Sequence, residues 1–113
     1  MLNNYGYSLA ERNIQIDLAL TMAKKAIAAQ PDNASFLDTM GWVYFRLGDY
    51  KQAEVYIKKA LEKGEVSAVV HEHLGDVYYK MKDVERAMDE WMIALKMDEN
   101  NVALQEKITR GSL

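Results

Sequence analysis

The 113-residue chain is long enough for one domain with a modest core; half of its residues are apolar and 27% charged. It has no cysteine, which excludes disulfides, thiolate metal sites and a cysteine nucleophile. Its formal net charge of −3 argues against nucleic acid and anionic membrane as main partners, because both are bound through clustered Lys and Arg.

In chain order, apolar spacing and cap residues predict helices over 2–12, 15–30, 34–47, 50–63, 68–81, 84–97 and 102–110, and no strand. Leu37, Met40, Gly41 and Tyr44 form one stripe, and Ala53, Tyr56, Ile57, Ala60 and Leu61 form the next. Between them Gly48 can take the left-handed conformation that ends a helix, and Asp49 can cap the following one. Lys82 stands where Gly48 stands, so a similar turn there would hold a lysine in the left-handed region. The last segment, capped by Asn101 and stopped by Gly111, is expected to cover the hairpin before it with Val102, Leu104 and Ile108 facing inward. No apolar run approaches the ~20 residues that span a bilayer, and no basic start leads into a signal-peptide-like stretch.

A step of 34 carries Gly41 to Gly75, Tyr44 to Tyr78, Ala53 to Ala87, Ile57 to Trp91, Ala60 to Ala94 and Leu61 to Leu95. The small residues let helix backbones cross closely, with a bulky neighbour filling the gap. A hairpin cannot bury both of its faces alone, so such hairpins stack.

The candidate chemistry is sparse. His71 and His73, two apart on a helix, point to nearly opposite sides and cannot share a metal; His71 reads as a partly buried residue of the stack. Asn33-Ala34-Ser35 matches a glycosylation triplet but reads better as a helix cap. Met88 and Met92 read as packing beneath the terminal helix. No nucleophile set, paired-acid cleft or phosphate loop can be assembled. No enzyme activity, cofactor or metal is therefore expected.

Leu37-x-x-Met40-Gly41-x-x-Tyr44, then Ala53, Ile57 and Ala60, resembles the tetratricopeptide signature, as does His71-x-x-Leu74-Gly75-x-x-Tyr78, then Ala87, Trp91 and Ala94. A more diverged copy begins with Leu2, Tyr5, Gly6 and Leu9 and continues through Ala19, Ala23 and Ala26 to Pro31. The family's closing proline is absent from the second and third copies. The resemblance implies an all-α, right-handed solenoid. It would hold three antiparallel helical hairpins, at about 1–32, 34–66 and 68–100, and a terminal capping helix over 102–110.

The family lines its concave groove with first-helix positions fixed relative to the glycine. Carried over, these implied protein-binding residues include Tyr7, Asp38, Trp42, Phe45, Arg46, Glu72, Asp76, Tyr79 and Lys80. They make an aromatic stripe, an acidic patch and a basic rim. Asp38 and Glu72 stand where the members that clamp a C-terminal carboxylate carry cations. The implied function is a protein- or peptide-binding module, within a larger scaffold like those of bacterial multi-repeat proteins. Self-association through exposed solenoid ends is one alternative. An RNA-reading helical repeat is a weaker one, since its groove would be basic.

Overall fold

The computed structural model describes residues 16–64 and 67–113, so the helix expected over 2–12 and the site residue Tyr7 lie outside the described residues. The chain divides into two compact units, 1–65 and 66–113. The first holds α1 (Ile16–Ala29), α2 (Ala34–Leu47) and α3 (Tyr50–Glu62); the second holds α4 (Ala68–Lys80), α5 (Val84–Met97) and α6 (Val102–Arg110). Among the described residues there is no strand, and the fold is the expected all-α helical repeat.

Each helix from α2 to α6 begins where a short polar side chain satisfies an orphan backbone N–H. Asn33 accepts from Phe36 N at 3.1 Å, Ser67 from Val70 N at 3.3 Å and Asn101 from Leu104 N at 3.0 Å. These three caps are themselves one repeat apart. The second helices follow the same rule, with Asp49 accepting from Gln52 N at 3.3 Å and Asp83 from Arg86 N at 3.2 Å. Asn33 also donates from Nδ2 to Gln30 Oε1 at 2.9 Å, so its amide is built into the α1–α2 turn.

The α2–α3 and α4–α5 turns are copies of each other. Gly48 N donates to Phe45 O and Asp49 N to Tyr44 O; Lys82 N donates to Tyr79 O and Asp83 N to Tyr78 O. Gly48 has φ 83°, and Lys82 is the one non-glycine at positive φ among the described residues, at 66°. Glycine takes this region freely, whereas a Cβ there costs about 1 kcal/mol.

Inside each hairpin the backbones meet at a glycine. A Cβ on Gly41 would stand 2.5 Å from Ile57 Cγ1 and 3.2 Å from the Ala53 carbonyl oxygen; a Cβ on Gly75 would run into the Trp91 indole. Neither obstacle can swing away, because Ile57 and Trp91 are fully buried. Ala53, Ala60, Ala87 and Ala94 are also fully buried and keep the crossings narrow. In the first unit Ala19 and Ala23 of α1 join Met40 and Val43 in the core, with Tyr44 and Tyr56 packed against it.

The terminal helix is held differently from expectation. Leu104 is fully buried and Ile108 half-buried, but Val102 is 63% exposed. Residues 102 and 104 lie about 200° apart around a helix, so they cannot face one neighbour together. Met88 is half-buried, while Met92 is 52% exposed and does not lie beneath α6.

Two stability measurements check these features. Gly41→Ala and Gly75→Ala should each lower unfolding stability by about 1–2 kcal/mol, overpacking outweighing the gain in helix propensity. Lys82→Gly should raise the melting temperature by a few degrees, relief of the strained φ exceeding the extra chain entropy of glycine. Urea and thermal denaturation followed by circular dichroism read both.

Candidate protein-binding surface

The expected site residues fall on α2 and α4, and each helix carries its own set. On α2, Asp38, Trp42, Phe45 and Arg46 recur at helical spacing and are all half-buried, whereas Leu37, Met40, Gly41 and Val43 on a neighbouring face are buried. The Trp42 and Phe45 rings stack, with centroids 4.6 Å apart and planes within 9°. Phe45 also meets Tyr50, the first residue of α3, at 5.6 Å and 59°. Three aromatic side chains are thus fixed against one another while still reached by solvent. An acid and a base stand one turn from the indole on the same face.

On α4 the positions one repeat later behave otherwise. Tyr79 is half-buried and leans on Trp91 at 6.1 Å; Lys80 is exposed. Tyr79, Lys80, Lys82 and Val84 line a shallow depression at the α4–α5 turn. Glu72 and Asp76 were expected as an acidic patch open to a ligand, but Asp76 is only 6% exposed. Its Oδ1 accepts from Trp91 Nε1 at 3.0 Å and from Lys107 Nζ at 3.0 Å. Lys107 also donates to Glu72 Oε2 at 2.7 Å, and its ammonium lies 5.7 Å from the Trp91 ring centroid. The carboxylate of Asp76 is therefore a part of the interior of the second unit.

The cause is Trp91, which stands where the first unit has Ile57. A buried indole brings an N–H that must find an acceptor. Asp76 precedes Trp91 by 15 residues, as Trp42 precedes Ile57. A buried carboxylate in turn calls for a cation, which the terminal helix supplies. The one signal in the sequence was this paired exchange, Trp42 with Ile57 against Asp76 with Trp91.

Burial raises the Asp76 carboxyl above the ordinary aspartate range, against the opposing pull of the Lys107 ammonium and the Trp91 N–H; Glu72 adds to the rise. Burial disfavours the charge on Lys107, but hydrogen bonds and charges from Glu72 and Asp76 outweigh it, and its pKa is raised. A raised lysine contributes stability that is present at neutral pH and lost as pH climbs through its folded-state value. A raised carboxyl costs stability when ionised; that cost shrinks as pH falls below its folded-state value and is gone below its unfolded-state value.

The histidines part as expected. His73 is buried, whereas His71 is half-buried with Nδ1 2.8 Å from Glu90 Oε1. Among the described residues no three His, Asp or Glu side chains are grouped to hold a metal ion. Among them, too, no helix is long and apolar enough to cross a membrane.

Known proteins resemble the chain in both sequence and fold. A family model described as anaphase-promoting complex, cyclosome, subunit 3 matches residues 12–90. A TPR repeat-containing protein of Pseudomonas aeruginosa is 38% identical over 78 residues; the match takes in 66% of this chain and 12% of that protein's length. The first TPR of Spaghetti bound to an HSP90 peptide is similar at TM-score 0.87 and 19% identity, over 97% of this chain and 89% of that one. The second TPR domain of human RPAP3, in complex with an HSP70 peptide, is similar at TM-score 0.83 and 14% identity, over 97% and 91%. At these identities the two structures speak for the fold.

Replacing Lys107 tests the charge cluster. Lys107→Met should cost about 1–2 kcal/mol at pH 7, the low end for a broken buried pair because solvent still reaches it. The deficit should shrink as pH is lowered and Asp76 takes up a proton. Denaturant melts of both proteins between pH 4.5 and 8, roughly the window in which buried carboxyls titrate, would show the two stabilities converging toward acid.

Proposed function

We propose that this chain, which belongs to the tetratricopeptide repeat family within the group described by the anaphase-promoting complex subunit 3 model, is a non-catalytic module that binds a segment of another protein. The observation that carries the reading is the Trp42–Phe45 stack. It is a preformed, half-exposed aromatic pair that has already lost its rotamer freedom, with Asp38 and Arg46 beside it. Rigid aromatics next to charges are the usual anchors of protein interfaces. The second unit carries its own candidates, Tyr79 and Lys80 of α4, and Tyr7 is assigned by its place in the repeat. That two domains of this fold are known with bound HSP90 and HSP70 peptides supports a peptide or protein ligand.

The ligand should offer apolar side chains to the stack and a Lys or Arg toward Asp38. Glu72 and Asp76 contribute less than their number suggests, since Lys107 already answers them. A binding segment can be selected from a displayed peptide library and titrated by fluorescence. Trp42→Ala should weaken it by about 1–4 kcal/mol while leaving the helical spectrum intact. Lys51→Ala, on the exposed side of α3, should bind as the parent does. Equal binding by the Trp42 variant would move the site elsewhere.

A further inference from the structure

One exposed surface is not explained by the packing of the hairpins. On α5 the buried residues Ala87, Trp91 and Ala94 face inward. The opposite flank exposes Met92 at 52% and Ile93 at 41%, between exposed Asp89 and Lys96. Asp89, Met92, Ile93 and Lys96 line one shallow depression; Lys96, Met92 and Glu99 line another beside it.

The equivalent flank of α3 is a built-in control. One repeat earlier, Lys58 and Lys59 stand where Met92 and Ile93 stand, and both are exposed. Glu62 replaces Lys96, Val55 replaces Asp89 and Gln52 replaces Arg86. The hairpin does not need apolar residues at these positions; α5 carries them all the same.

The order of residues on this flank is a mirror of itself with the charges reversed. Going back from Met92, a step of three meets Asp89; going forward from Ile93, a step of three meets Lys96. All four are exposed. The intervals of three, four and seven keep the four residues on one side of the helix. Placed antiparallel against a second α5, about a two-fold axis between Met92 and Ile93, Met92 meets Ile93 of the copy. Asp89 then meets Lys96. A two-fold interface must be self-complementary in this way.

We propose that this flank of α5 is a homodimerisation surface, on which two copies of the chain pair their α5 helices antiparallel through Met92 and Ile93 with Asp89–Lys96 contacts on either side. The pairing uses the side of a helix and is distinct from end-to-end stacking of repeats. The pairing is argued from α5 residues alone, so it stands independently of the binding role given to Trp42 and Phe45. The contact is small, and the dissociation constant should be about 10–100 µM.

Sedimentation equilibrium of the full chain over a range of concentrations tests it. The parent should show a monomer–dimer equilibrium, and Ile93→Lys, which installs the residue α3 has there, should stay monomeric with an unchanged helical spectrum. Asp89→Lys and Lys96→Asp should each weaken pairing about fivefold or more, since each sets like charges face to face. The double variant Asp89→Lys/Lys96→Asp should recover the parent's affinity. A parent that is monomeric at about 1 mM, well above the expected constant, would overturn the proposal. So would a double variant no better than the singles. Because the chain has no cysteine of its own, Asp89→Cys mixed with Lys96→Cys adds a test of register: oxidation should give the mixed disulfide in preference to either like pair. A random mixture of disulfides would count against the antiparallel arrangement.

Discussion

The close approach of two helices at Gly75 decides most of what is particular to the second unit. With no side chain on α4 at that point, the indole of Trp91 fills the space beside Gly75 and is sealed from water. A sealed indole cannot leave its N–H unpaired without a penalty of about 1–3 kcal/mol. The side chain next along α4 is Asp76, and its carboxylate takes the proton donor. That carboxylate now needs a cation, and Lys107 arrives from α6. Each step follows from the one before, so the terminal helix is joined to the hairpin by charge as well as by Leu104. The first unit makes the same crossing at Gly41 with Ile57, which has no polar atom. Nothing there calls for an acid after the glycine, and the position is held by Trp42, stacked on Phe45 at the surface.

The network around Asp76 is a positioning device more than a source of net stability. Two carboxylates and one ammonium removed from water roughly repay their own desolvation when every donor and acceptor is matched, and cost heavily when one member is missing. Its effect is to tie α6 to α4, since Lys107 bonds Glu72 and Asp76 at once. The same commitment takes negative charge away from any ligand. A surface that reads from its sequence as strongly acidic is, in the fold, close to balanced on α4. In the binding role proposed above, recognition rests on the aromatic pair of α2 and the charges beside it.

Much of this was legible in the chain. The helix limits follow from caps and turns, which are local. Asn33, Asp49 and Asn101 announce themselves as acceptors before apolar stripes, and the strained φ of Lys82 follows from its register with Gly48. What sequence reading misplaced depends on contacts between helices. Asp76 looks like a groove acid until the size and N–H of Trp91 are set beside it, 15 residues on. Val102 and Met92 looked like core because they are apolar, but an apolar residue is free to lie outside, and only the angular position around the helix decides. The mirrored charges on α5 were present in the sequence as well; they acquire meaning once Met92 and Ile93 are seen to be exposed.

The central claim is that Trp91 and Asp76 are one interaction, imposed by the crossing at Gly75. A thermodynamic double-mutant cycle on Trp91→Phe and Asp76→Ala measures it most directly, from the urea unfolding of the parent, the two single variants and the double. Phenylalanine fills most of the space without the N–H, and alanine removes the acceptor. A coupling energy of about 1–3 kcal/mol, with the double variant less destabilised than the sum of the singles, is the expected result. Additive losses within about 0.3 kcal/mol would mean that the two residues act independently, and that the burial of Asp76 has another cause.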